Sequence, residues 1–153
     1  MRIAMIGAGY VGLVSGACLA DFGHTVVCVD SNRGRIDALN AGRMPIYEPG
    51  LEALVAENVR QDRLSFITDL EAAVGQADAV FIAVGTPPGP GGNPDLKYLK
   101  SAADGVGRYL GAHFTVIVNK STVPIGSGNW VGSLVRDAVL EGGKTGCFAV
   151  ASN

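Results

Sequence analysis

The sequence predicts an α/β fold, a doubly wound parallel sheet of about six strands with helices on both faces. Three observations predict it. Short apolar runs alternate with segments whose apolar residues recur at helical spacing. The runs are apolar throughout, as in a sheet covered on both sides, and do not alternate apolar with polar. A glycine-rich turn closes the first run and opens the first helix.

The elements follow in order. Arg2 to Ile6 reads as the first strand, and Tyr10 to Phe22 as a helix stopped by Gly23. Thr25 to Asp30 is a valine-rich strand, Arg33 to Ala41 a short helix, and Pro45 to Gly50 a turn-rich loop. Leu51, Leu54, Val55, Asn58 and Val59 mark one helical face with one polar member. Leu64 to Thr68 reads as a strand, Leu70 to Val74 as a short helix and Ala79 to Val84 as a strand. A Gly/Pro loop follows over Gly85 to Gly92. Asn93 can cap the next helix, with Pro94 at its first position. Phe114 to Val118 is the fifth strand, Val131 to Val139 carries a helical stripe, and Phe148 to Ala151 begins the sixth strand.

Composition narrows the function. The 153 residues suit one domain with a single sizeable core, and 48% hydrophobic with 17% charged residues is a globular balance. The net charge of -2 with no basic cluster argues against nucleic acid and acidic membrane surfaces as partners. Cys18, Cys28 and Cys147 are odd in number and too scattered for a zinc pattern, so no metal is expected and a reduced, cytoplasmic setting fits. Arg2 and the apolar run to Ala20 have the outline of an export signal, but glycines at 7, 9, 12 and 16 argue against an export helix.

The turn Gly7-Ala8-Gly9-Tyr10-Val11-Gly12 follows a strand and opens a helix, the context a dinucleotide-binding, Rossmann-type turn requires. Gly7 permits the tight turn, Gly9 the approach of a pyrophosphate, and Gly12 the packing of helix on strand. The helix N-terminus offers free N–H groups to phosphate. Asp30 lies 18 residues beyond Gly12, at the end of the second strand, where a carboxylate accepts hydrogen bonds from the adenosine ribose. A carboxylate there repels a 2′-phosphate, so NAD is expected in preference to NADP. The plainer reading makes Asp30 a cap for the following helix. Arg33 and Arg35 lie where they could flank the adenine, or could be ordinary surface charges.

Tyr47-Glu48-Pro49-Gly50-Leu51, Gly85-Thr86-Pro87-Pro88 and Lys120-Ser121-Thr122-Val123-Pro124 follow in that order. With Gly7 to Gly12 and Asp30, they closely resemble the NAD-domain motifs of the UDP-glucose dehydrogenase family, which includes GDP-mannose and UDP-N-acetylmannosamine dehydrogenases. The resemblance covers essentially the whole chain. It implies an enzyme that oxidises a sugar-nucleotide C6 alcohol to a carboxylate with two NAD+, through an aldehyde and a cysteine thioester. Carried over by motif, the cofactor-binding residues are Gly7, Gly9, Tyr10, Val11, Gly12, Asp30, Arg35, Thr86, Pro87, Ser121 and Thr122. Thr122 is also an accessory catalytic candidate, set against a plainer reading as a helix cap before Pro124. Glu48 and Lys120 have no role derivable from the sequence.

The resemblance further implies that residues 1–153 are the NAD-binding domain. The nucleophilic cysteine, the central helix and the sugar-nucleotide domain are expected beyond Asn153, so these residues alone are expected to be inactive. None of the present cysteines resembles the nucleophile: Cys28 is mid-strand, Cys18 is expected on a packed helix as a small hydrophobe, and Cys147 begins the last strand. The full-length enzyme is expected to be a homodimer taking a UDP-sugar substrate. Gly126 to Trp130 departs from the family pattern near the nicotinamide end. Alternative readings are a stand-alone, non-catalytic NAD-binding or sensing module, a GDP-mannose or UDP-N-acetylmannosamine dehydrogenase, or a 6-phosphogluconate-type dehydrogenase. The Tyr47 and Lys120 motifs weigh against the last.

Overall fold

The computed structural model describes all residues except 90–92, 122–126, 144 and 153. The strands are β1 (Arg2–Ile6), β2 (Thr25–Val29), β3 (Leu64–Ile67), β4 (Ala79–Ile82), β5 (Thr115–Asn119) and β6 (Phe148–Ser152). The helices are α1 (Tyr10–Asp21), α2 (Arg33–Asn40), α3 (Leu51–Arg60), α4 (Leu70–Val74), α5 (Lys97–Tyr109) and α6 (Ser127–Glu141). All six strands are parallel in the order β3-β2-β1-β4-β5-β6. This is the Rossmann-type doubly wound sheet that the alternating pattern predicts.

Alternate residues of each strand face opposite layers. Ile3 and Met5 of β1 pack with Val26, Cys28 and Phe66 beneath α1, α2 and α3. Ala4 and Ile6 pack with Val80, Ile82 and Ile117 beneath α4, α5 and α6. Both faces of the central strands β1 and β4 are therefore covered, which is why those strands are apolar from Ile3 to Ile6 and from Ala79 to Ile82. The one polar member of the α3 face, Asn58, is fully buried. Its amide donates to the Leu54 carbonyl and Asp21, and its Oδ1 accepts from Arg63.

Three local expectations are corrected. Asn93 does not cap α5 and Pro94 is not its first residue. Asn93 instead accepts the Gly89 amide at 2.7 Å, and Pro94 forms an antiparallel bridge with Pro88. The helix starts at Lys97, whose amide is held by the Asp95 carboxylate at 3.0 Å. Cys18 is exposed, so it does not act as a packed small hydrophobe. The fifth strand begins one residue later than expected, leaving Phe114 exposed. Gly23 does stop α1: it has φ 92° and donates its amide to Ala20.

Candidate functional site

The strand order reverses between β1 and β4, and in such sheets ligands bind beyond the carboxyl ends of the strands at this reversal. The loops leaving β1 and β4 touch there. A Cβ on Gly7 would lie 2.6 Å from the Ala83 carbonyl oxygen, and Gly7 has φ +102°, so only glycine fits. A Cβ on Gly12 would lie 1.8 Å from the Gly7 carbonyl oxygen. Gly9 differs, because a Cβ there would meet no protein atom within 4 Å. Its bare face opens outward at the start of α1, whose N-terminus has no side-chain cap. Uncapped N–H groups, the helix dipole and an open glycine face suit a diphosphate. Tyr10 and Val11, at the first turn, are exposed beside this opening.

Asp30 stands just past β2 and links three segments. Its Oδ2 accepts from the Ala8 amide at 2.9 Å and from Arg35 Nη1 at 2.7 Å. Its Oδ1 accepts from the Asn32 amide at 2.9 Å. Burial raises the carboxyl pKa, but the Asn32 and Ala8 amides and Arg35 outweigh it, and the net shift is downward. The group is thus an anion fixed at the rim of the glycine turn. Its role as the cap of α2 is not what the structure shows: Asn32 fills that position and accepts the Arg35 amide at 3.0 Å.

On the β4 and β5 side, Thr86 is half-buried and Pro87 exposed, in the loop after β4. The Pro87 carbonyl accepts from the Asp95 amide at 2.7 Å. Ser121 is buried, and its hydroxyl donates to the Val84 carbonyl at 2.9 Å. That side chain ties the β5 loop to the β4 loop and so holds the sheet edge rather than offering a hydroxyl outward. Thr122 lies outside the described residues.

Two features escaped the sequence reading. Asn119 ends β5 fully buried: its Oδ1 accepts the Ser121 amide at 3.2 Å, and its Nδ2 has no partner among the described residues. The available signal was a polar residue closing the otherwise apolar run Thr115 to Asn119. Glu48, for which the sequence offered no role, accepts from the Tyr10 hydroxyl at 3.0 Å, so the Tyr47–Leu51 motif is joined to the first turn of α1. This bond, more than the charge of Glu48, raises the Tyr10 pKa. Among the described residues there is no metal-binding cluster of His, Cys, Asp and Glu, and no helix is long and apolar enough to cross a membrane.

The model of the UDP-glucose/GDP-mannose dehydrogenase family, NAD binding domain, matches residues 1–153. The chain belongs to the UDP-glucose/GDP-mannose dehydrogenase family. It is 56% identical over 138 residues to UDP-glucose 6-dehydrogenase of Rhizobium meliloti (strain 1021), covering 90% of this chain and 31% of that protein. A UDP-glucose dehydrogenase from the hyperthermophilic archaeon Pyrobaculum islandicum superposes with TM-score 0.89 at 44% identity, over 99% of this chain and 35% of that one. A ternary complex of GDP-mannose dehydrogenase from Pseudomonas aeruginosa gives TM-score 0.91 at 40% identity, over 100% of this chain and 36% of that one. The chain therefore spans about a third of the length of the relatives it matches. As the NAD-binding domain of a UDP-glucose/GDP-mannose dehydrogenase, its cofactor is NAD. The open Gly9 face, the uncapped α1 N-terminus and the Asp30 anion fit a dinucleotide with a free ribose diol.

Proposed function

We propose that this chain is the NAD-holding part of a UDP-glucose 6-dehydrogenase, which oxidises the C6 alcohol of UDP-glucose to a carboxylate with two NAD+. The observation that carries this reading is the degree of likeness. Identity is 56% to the Rhizobium UDP-glucose enzyme and 40% to the Pseudomonas GDP-mannose 6-dehydrogenase. NAD supplies the hydride acceptor; the residues supply its seat. Gly7, Gly9 and Gly12 shape the turn, the first-turn amides of Tyr10 and Val11 face the diphosphate, and Asp30 with Arg35 receives the adenosine ribose. Thr86, Pro87, Ser121 and Thr122 border the nicotinamide end, Ser121 by holding the loop and Thr122 by the family resemblance alone.

The thiol that forms the thioester is none of the three cysteines present. Cys28 is buried within β2. Cys147 precedes β6 and its carbonyl accepts the Thr115 amide, at the amino end of β5 and so at the opposite edge of the sheet from the site. Cys18 lies near the far end of α1. Residues 1–153 alone should bind NADH without oxidising UDP-glucose. In the same reading the complete enzyme is a cytoplasmic homodimer, a point gel filtration addresses.

The test is NADH absorbance with the protein from the complete reading frame, supplied with UDP-glucose, GDP-mannose or UDP-N-acetylmannosamine. Two NADH per UDP-glucose and little turnover of the others are expected. Preference for another sugar nucleotide would replace the substrate assignment. NADH binding with no turnover of any of them would favour a non-catalytic module.

A further inference from the structure

Four polar side chains are buried among the described residues: Asn58, Thr115, Asn119 and Ser121. Asn58, Thr115 and Ser121 have their polar atoms in hydrogen bonds. Asn119 alone of these keeps an atom, Nδ2, with no partner among the described residues. It is 1% exposed and lies in register between Ile82 of β4 and Ser152 of β6. A buried donor left unpaired costs stability. A side chain that only filled this place would be apolar, like Ile117 two residues before it on the same face of β5.

What asparagine adds is its oxygen. Oδ1 accepts the Ser121 amide at 3.2 Å, the bond that asparagine makes to its own backbone two residues on, and it turns the chain where β5 ends. The Lys120 amide still donates to the Ile82 carbonyl at 2.8 Å, and the Ser121 hydroxyl reaches on to the Val84 carbonyl at 2.9 Å. One side chain at the end of β5 thus sets how the loop after β5 is fastened to the loop after β4. We infer that Asn119 is a positioning residue for the nicotinamide half of NAD, acting through Ser121 and not by touching the cofactor. This rests on reading those two loops as the border of the nicotinamide end. The adenosine half has its own seat in the glycine turn after β1 and in Asp30 after β2, and neither is bonded to Asn119. With valine at 119 the Ser121 amide loses its acceptor and the β5 loop its fixed departure from the sheet. The wall beside the nicotinamide loosens while the adenosine seat stays as it was.

The test is calorimetric titration of NADH, and of ADP-ribose, which lacks only the nicotinamide, into the protein from the complete reading frame. The variants are Asn119→Val, Asn119→Thr, Ser121→Ala and Asn119→Val/Ser121→Ala, with thermal unfolding of each. Asn119→Val should weaken NADH about fivefold or more, the worth of one hydrogen bond, and leave ADP-ribose within about twofold of the parent. Asn119→Thr has the shape of valine and an oxygen that can accept the Ser121 amide, so it should recover most of the NADH affinity. Ser121→Ala should show the same contrast, and adding Asn119→Val to it should weaken NADH little further, because both act on one loop. If Asn119→Val does not fold, Ser121→Ala and Asn119→Thr carry the same expectations. Equal weakening of NADH and ADP-ribose in the folded variants would overturn the inference, since that is general loosening of the domain. So would parental NADH affinity in Asn119→Val, or losses that simply add in the double variant. An unmodified protein that binds neither ligand would instead bring down the NAD reading, and this inference with it.

Discussion

Asp30 accepts the amide of Ala8 at 2.9 Å, so the carboxylate that follows β2 holds the glycine turn that follows β1. One anion thus ties together the glycine turn after β1 and the start of α2. Its folded pKa is below its ordinary value, despite the opposing effect of burial. A depressed carboxyl pKa contributes stability that is present above the unfolded value of about 4 and is lost as pH falls through the folded value. The difference in melting temperature between the unmodified protein and Asp30→Asn should be constant from pH 5 to 8 and shrink below about pH 4. A difference that already fades between pH 5 and 6 would mean that Asp30 is not held as an anion in this way.

The glycines of the turn should separate folding from binding. Gly12→Ala puts a Cβ 1.8 Å from the Gly7 oxygen, which only backbone movement can relieve. Overpacking of this kind costs about 1–3 kcal/mol, and a chain of this size loses roughly 2–4 °C of melting temperature per kcal/mol. Gly9→Ala meets no protein atom, so its melting temperature should match the parent while NADH affinity drops by about tenfold or more. Thermal unfolding and calorimetric titration of both variants check the contrast. Equal melting temperatures for the two, or parental NADH affinity in Gly9→Ala, would show that the turn is misread.

The three thiols should differ sharply. Burial pushes the Cys28 thiol up to about 12, so almost none is thiolate at neutral pH. Cys18 and Cys147 are exposed. A disulfide-exchange reagent at pH 8 should titrate two thiols quickly and the third only after denaturation. Rapid reaction of all three in the native protein would contradict the packing of β2 beneath α1.

Asn58 is a fully buried polar side chain with three hydrogen bonds. Replacing it with Ala leaves the Arg63 guanidinium and the Asp21 carboxylate without this partner. Loss of such buried bonds costs about 1–3 kcal/mol. A melting temperature within about 1 °C of the parent would show that water satisfies these groups instead. Leucine at this position should be no better than alanine, because the polar partners remain.

How much of this was legible in the sequence varies with the range of the interaction. The sheet was legible, since a strand buried on both faces must be apolar at each position, as in Ala79 to Ile82. The shape of the glycine turn was legible because Gly7 and Gly12 answer to contacts within a few residues or to the β4 loop beside them. The start of α5 was misread for a local reason with a non-local answer. Asn93-Pro94 is a sound helix-start signal, but the Gly89–Asn93 hydrogen bond and the Pro88–Pro94 bridge draw those residues into a turn.

The sequence by itself determined the order of the elements, the parallel sheet with helices on both faces, the glycine turn and the acidic residue at the end of β2. These follow from periodicity, chain conformation and side-chain chemistry, which are properties of short stretches. Only the tertiary structure decided that Tyr10 donates to Glu48, that Ser121 is committed to the Val84 carbonyl, that Cys18 faces outward, that the Cys147 carbonyl accepts the Thr115 amide at the amino end of β5, and that Arg35 sits on Asp30. Such partnerships depend on side-chain direction and on which loops the sheet order brings together. Neither quantity is written in the spacing of residues along the chain.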